Sequence, residues 1–320
     1  MSLLKLNSKL EYERNLHRDI PLLPKLPLEA TTSPKLEATA SSQAFSQASS
    51  QSIASLKQHF LSSVTSVNIE TTSWCNINCS FCPSSFLARK HHLMSEEMFA
   101  NIVTQLHELQ YTKKIKLHQS NEPLTDQNLG SCIRQIRKAL PQVPIGFYTN
   151  GTLLTEDLLI TLHSVGLNFM LVGSTSQTVR TNVLRISNYI KRFYNNVNVF
   201  VETKDMHLTQ TGYTESVYNT LSIGIRDTSK QPLTSRCNIT SNAYLDYSCS
   251  KPFKHVEINY DGTIQLCCEE WLRAGDSIVG ALKKNTLLEI WYGSVIQEYR
   301  DMLSRNERTK YPCNQCDFVE

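Results

Sequence analysis

The sequence has no run of about 18 apolar residues, so it predicts no membrane-spanning helix. It has little excess of either charge: 32 basic against 29 acidic residues leave a net charge of +3. A balance this close argues against nucleic acid or a membrane surface as partner. Residues Met1 to Arg18 lack the apolar stretch of a secretory signal. Without that signal, ten cysteines point away from a disulfide framework and toward metal-binding thiols in a reducing, cytoplasmic compartment. The sequon Asn238-Ile239-Thr240 then carries no glycosylation meaning.

What is present suffices for a core. The chain has 320 residues, of which 40% are hydrophobic, enough for one large domain or two ordinary ones. The stretch Thr31 to Ser52 has almost no large apolar residue and cannot offset the entropy of ordering. Residues 1–62 are therefore read as a tail and low-complexity linker, largely disordered. Beyond it, strand-like runs alternate with amphipathic helices. The strands are Val67–Thr72, Lys114–Gln119, Pro144–Tyr148, Asn168–Gly173, Asn196–Thr203 and Leu221–Arg226. The helices are Glu96–Leu109, Gln127–Leu140, Thr155–Val165 and Gln177–Phe193, each apolar at i, i+3/i+4 spacing. A last crossover, Lys204 to Thr220, has a weaker helical pattern. Alternation of this kind predicts parallel βα units over 63–230, as a doubly wound sheet or a partial barrel.

Directly after the first strand comes Trp74-Cys75-Asn76-Ile77-Asn78-Cys79-Ser80-Phe81-Cys82-Pro83. Three thiols in a CxxxCxxC spacing can hold three corners of a cubane iron–sulfur cluster, and leave one iron open for a small chelating molecule. A structural zinc site is the other reading, with His91 or His92 as a fourth ligand, though zinc usually takes two C-x₂-C pairs or a Cys/His set. This loop resembles the signature of the radical S-adenosylmethionine superfamily, with an aromatic residue, Phe81, just before the third cysteine. The resemblance implies a 4Fe–4S cluster held by Cys75, Cys79 and Cys82 with S-adenosylmethionine on the open iron. It implies reductive cleavage of S-adenosylmethionine to a 5′-deoxyadenosyl radical and abstraction of a hydrogen atom from substrate. It also implies a six-unit partial (β/α) barrel with this loop at the C-terminal mouth.

Further motifs follow the strand order. Gln119-Ser120-Asn121-Glu122-Pro123 stands where the family has Gly-Gly-Glu-Pro. The match places Glu122 on the cofactor's amino group, and Asn121, tolerant of a left-handed backbone, in a glycine position. Thr149-Asn150-Gly151 matches the family's Thr-Asn-Gly, and also reads as a plain turn. Ser174 is the candidate for the ribose, or a helix cap. Arg226, ending the sixth strand, is a candidate for a carboxylate of cofactor or substrate, or for an ion pair.

The C-terminal part, 231–320, carries Cys249 before Pro252-Phe253, an Asp261-Gly262 hairpin ending in Cys267-Cys268, a helix over Thr286–Leu303 with Trp291, and a final Cys313-x₂-Cys316. By themselves, four such cysteines fit zinc or a fully ligated cluster. Beside the first motif they resemble the SPASM/twitch extension of radical S-adenosylmethionine enzymes. That implies one auxiliary 4Fe–4S cluster on Cys249, Cys267, Cys313 and Cys316. Adjacent cysteines in a strand point to opposite faces, so Cys268 is set aside as the alternative to Cys267. Cys132 reads as a core residue. Cys237, with Arg236 beside it, is the catalytic candidate between the two parts, as a hydrogen-atom donor or a structural thiol. No residue is singled out as a general base.

The expected substrate is a ribosomally synthesised peptide undergoing post-translational modification. A small polyol, sugar or aminocyclitol is the alternative, and a zinc-binding interaction protein is the third reading. No leader-recognition domain is seen. An external one-electron donor such as flavodoxin or ferredoxin is implied as a partner.

Overall fold

The computed structural model describes residues 50–79, 82, 90–202, 220–229, 248–270 and 277–316. Phe81, Arg236, Cys237 and the crossover 204–219 lie outside the described residues. Among the described residues, no helix is long and apolar enough to cross a membrane.

The described residues form a mixed α/β fold on one nine-stranded sheet. In chain order the strands are β1 (Ser66–Ile69), β2 (Lys114–Lys116), β3 (Ile145–Thr149), β4 (Phe169–Ser174), β5 (Val197–Val201), β6 (Leu221–Asp227), β7 (His255–Ile258), β8 (Thr263–Gln265) and β9 (Ile278–Ala281). The sheet order is β5-β6-β4-β3-β2-β1-β7-β8-β9, and it does not close. Strands β1 to β7 pair in parallel, and β7-β8-β9 is an antiparallel meander. This is the partial barrel the sequence implies, with one refinement: β6 lies between β4 and β5.

The helices are α1 (Ser50–Ser63), α2 (Glu96–Glu108), α3 (Leu129–Ala139), α4 (Glu156–Ser164), α5 (Gln177–Lys191), α6 (Lys251–Lys254), α7 (Leu287–Trp291) and α8 (Ser294–Ser304). Four of the starts carry a side-chain cap, from Ser95, Thr155, Ser176 and Thr286. Ser95 Oγ accepts from Met98 N at 3.2 Å, and Thr155 Oγ1 from Leu158 N at 3.1 Å. The expected single helix over Thr286–Leu303 divides into α7 and α8, joined through Gly293. A capping box of Thr286 and Glu289 starts α7.

Helix α1 lies in the stretch read as linker. Ile53, Leu56 and Phe60 follow helical spacing, and Phe60 is fully buried. Its ring meets Trp291 edge-on at 5.4 Å and Tyr111 at 6.4 Å. A polar, Ser/Gln-rich lead-in hides one apolar stripe that the surrounding composition masks.

Strand alternation gives the sheet two different faces. Val67, Ile69, Ile115, Phe147, Met170, Ile223, Val256 and Ile258 are buried in the hydrophobic core. The other, inner face carries Asn68, Lys116, Tyr148, Leu171, Phe200, Arg226 and Glu257, as the strand registers require. Since β7 pairs with β1 over four residues, the C-terminal part extends this same inner face.

Candidate active site

The cluster loop is a closed excursion from the end of β1. Met94 N donates to Thr71 O at 2.8 Å, Ser73 N to His92 O at 2.9 Å, and Ser73 Oγ to Lys90 O at 2.6 Å. Entry and exit are thus stapled together, and Cys75, Cys79 and Cys82 sit beyond the staple. Cys82 N donates to Cys79 O at 3.0 Å, which turns the chain between the last two cysteines.

Two side chains tie this loop to the next two βα loops. Glu122 is buried, and its carboxylate accepts from Thr149 Oγ1 at 2.6 Å, Asn150 N at 2.7 Å and Leu124 N at 3.0 Å. Its own N–H donates to Trp74 O at 2.9 Å. Asn150 Nδ2 donates to Asn76 Oδ1 at 2.9 Å and stands 3.9 Å from Cys75 Sγ. Glu122 and Asn150 are therefore brought together with the cysteine loop, as their places in the motifs imply. Burial pushes the Glu122 carboxyl up, against the three donors that pull it down. A carboxylate has about four lone-pair sites, so the three internal donors leave room for one more.

The other candidates are placed as follows. Asn121 Oδ1 accepts from Gln119 N at 2.8 Å. The described non-glycine residues with positive φ are Gln110 and Asn306, so Asn121 does not adopt a left-handed backbone; its side chain closes the turn instead. Ser174 Oγ accepts from Ser176 N at 3.2 Å, and the cap of α5 is Ser176. Arg226 Nε pairs with Glu202 Oε2 at 3.1 Å on the inner face.

The C-terminal cysteines form a second centre. Cys249, Cys267, Cys313 and Cys316 line one pocket, together with Lys251, Pro252, Glu269, Arg308 and Pro312. Gln265 Nε2 donates to Cys267 O and Glu270 O, both at 2.8 Å, and holds the turn that carries Cys267. Arg308 bonds the carbonyls of Ser248 and Cys316, next to the first and last of the four. Cys268 is not in this pocket. Its Sγ lies 3.4 Å from Lys251 Nζ, on the inner side of the sheet.

The chemistry of both sulfur sets fits iron–sulfur groups. All nine described cysteines are free thiols. Burial and then the charges of Cys82 and Cys75 push Cys79 up to about 11. Cys313 is pushed to about 12 by burial and by Cys249 and Cys316. Clustered thiols that raise one another in this way need a cation to ionise, which iron supplies.

Comparison with known proteins agrees. A family model described as the Radical SAM superfamily matches residues 69–215, and one for an iron–sulfur cluster-binding domain, SPASM, matches 249–317. The chain is a radical S-adenosylmethionine (radical SAM) enzyme with a SPASM domain. It is 25% identical over 256 residues to an S-adenosyl-L-methionine-dependent 2-deoxy-scyllo-inosamine dehydrogenase of Niallia circulans, covering 79% of this chain and 92% of the relative. It superposes on BtrN in complex with AdoMet and 2-DOIA with a TM-score of 0.59 at 22% identity, covering 80% of this chain and 94% of that one. An open conformation of BtrN gives 0.58 at 20% identity, covering 80% and 93%.

In this radical SAM enzyme Cys75, Cys79 and Cys82 would hold the catalytic cluster and Cys249, Cys267, Cys313 and Cys316 the auxiliary one. When bound, the catalytic cluster and S-adenosylmethionine supply the radical that removes a hydrogen atom from substrate. The protein's part is to fix the three loops around the open position through Glu122 and Asn150. Two features of the inner face have no counterpart in the motifs: His118 is stacked on Tyr148 at 4.3 Å, and Asn68 and Gln119 both donate to the Glu257 carboxylate. Desolvation holds the His118 imidazole well below its usual pKa. Polar residues interrupting apolar strands, Asn68 between Val67 and Ile69 and Glu257 between Val256 and Ile258, were the available signal.

Proposed function

We propose that this radical SAM enzyme dehydrogenates a small, polar substrate of the polyol, sugar or aminocyclitol class, oxidising a CH–OH carbon to a carbonyl. The observation that carries the reading is the correspondence with the Niallia circulans dehydrogenase along 92% of that relative's length. A single set of four cysteines in the C-terminal pocket supports it. So does the polar character of the inner face, where Lys116 and Gln119 stand with the buried Asn68–Glu257 pair behind them. These points move weight from the peptide substrate expected first toward its small-molecule alternative. Glu122, Asn150, Asn121, Phe81, Ser174 and Arg226 are the proposed contacts for S-adenosylmethionine. The reducing compartment, and a flavodoxin or ferredoxin as electron donor, belong to the same proposal.

The test begins with reconstituted enzyme holding about eight irons, two cubanes. It is given S-adenosylmethionine, a reductant and a panel of aminocyclitols and polyols carrying deuterium at the carbinol carbon. The reading expects deuterated 5′-deoxyadenosine in step with a carbonyl product. Turnover of a peptide with no response to any polyol would overturn it.

A further inference from the structure

We propose that His255, Glu257 and Cys268 form a mononuclear site for a transition-metal dication, zinc or iron(II), distinct from both cluster sites. One ligand atom from each, an imidazole nitrogen, a carboxylate oxygen and a thiol sulfur, lies within 4.8 Å of the other two. Tetrahedral edges for bonds of 2.0–2.3 Å are about 3.3–3.8 Å, so side-chain closure of about 1 Å completes the geometry. The mix of nitrogen, oxygen and sulfur suits zinc or iron(II) and disfavours magnesium or calcium.

Placement follows from the strands. His255 and Glu257 are two apart on β7 and share the inner face. Cys268 reaches the same spot because it points away from the pocket that holds Cys267. Three features suggest an unfilled role. Glu257 is wholly buried and, among the described residues, makes no direct salt bridge, with Lys116 and Lys251 near enough only to favour its charge. His255 Nδ1 is buried without a hydrogen-bond partner. Both carboxylate oxygens of Glu257 are already oriented by amide donors, Asn68 Nδ2 at 2.6 Å and Gln119 Nε2 at 3.1 Å. That is the kind of outer support that aims a metal ligand.

Lys251 Nζ, near Cys268 Sγ, is a cation already at the site, and Glu269 Oε1 holds it at 3.0 Å. Three protein ligands leave a fourth position for water or a substrate oxygen. The site does not depend on the substrate proposed above.

The experiment uses the anaerobically reconstituted holoenzyme, exposed to zinc and desalted. Metal content is measured by mass spectrometry, and the zinc environment by X-ray absorption. About one zinc per chain is expected, with one sulfur at about 2.3 Å and nitrogen or oxygen at about 2.0–2.1 Å. Glu257→Gln and His255→Gln should each lower zinc retention by about tenfold or more, with cluster iron and sulfide unchanged. No retained zinc overturns the proposal. So does zinc bound by four sulfurs, which would be zinc in the auxiliary site, and so do variants that hold zinc as the wild type does. If a variant also loses iron, the sulfur count around zinc in the wild-type enzyme decides alone. Loss of dehydrogenase activity plays no part in the readout, so this inference can fail while the proposed function stands.

Discussion

Replacing Phe60 by alanine tests whether helix α1 belongs to the folded enzyme. The ring is fully buried and meets Trp291 and Tyr111 edge-on. Truncating a buried phenylalanine to alanine costs about 3–5 kcal/mol, the sum of lost transfer energy and the cavity left behind. The aromatic edges place this site toward the upper part of that range, since each such pair adds about 0.5–1.5 kcal/mol. The consequence extends beyond the helix, because α1 also fastens to the C-terminal part of the chain. Tyr292 OH donates to Leu56 O at 2.8 Å, and His59 Nδ1 lies 2.8 Å from the same hydroxyl. At about 2.1 cal/mol/K of unfolding entropy per residue, each kcal/mol shifts the melting temperature of this 320-residue chain by about 1.5 °C, so a fall of about 4–8 °C is expected. Anaerobic urea unfolding of the cluster-loaded enzyme, followed by tryptophan fluorescence and far-UV dichroism, gives the free energy directly. A loss below about 0.5 kcal/mol, the range of ordinary surface substitutions, would refute the docking of α1 and return this segment to the linker.

Cys267→Ala should lower iron from about eight to about four per chain, and Cys268→Ala should leave it near eight; iron and sulfide assay after reconstitution decides. Equal losses in both would mean that the neighbouring thiols exchange as ligands. Gly262→Ala should destabilise the hairpin by at least about 1–2 kcal/mol from its positive φ of 83° alone. The added Cβ would also lie 2.5 Å from Met98 Cε, the end of a flexible side chain that can move aside, so denaturant titration should show a cost set mainly by the backbone. Glu122→Ala leaves Leu124 N, Asn150 N and Thr149 Oγ1 without their acceptor, and should cost at least about 1–3 kcal/mol in the same titration. Equilibrium dialysis should show weaker S-adenosylmethionine binding in that variant; unchanged stability and binding would remove Glu122 from both roles.

Much of the fold was legible because it rests on short-range periodicity. Each of the four amphipathic helices between the first and fifth strands starts and ends within about two residues of its expected bounds. The caps at Ser95 and Thr155 follow from residue type alone. The strand order β4-β6-β5 was not legible, because which strand neighbours which is decided by long-range packing and leaves no local trace. Helix α1 was missed for a different reason. Its stripe of Ile53, Leu56 and Phe60 begins inside a Ser/Gln-rich window, and composition averages over the window while burial needs only one face.

The site divides along the same line. Cys75, Cys79, Cys82, Glu122 and Asn150 lie at the ends of successive strands, so a motif read in chain order also places them in space. The inner wall could not be read that way. Asn68 comes from the first strand, Gln119 follows the second, and Glu257 belongs to a strand that returns 189 residues after Asn68 to pair beside it. What marks them is physical. A carboxylate buried completely, pushed up to about 7 by desolvation against the pull of Asn68, is retained at a cost that Gln at the same position would avoid. The catalytic loop is common to enzymes with many substrates, whereas this wall is assembled from residues that the shared motifs do not contain. The wall, and not the cluster loop, is therefore where the specificity of this enzyme is to be sought.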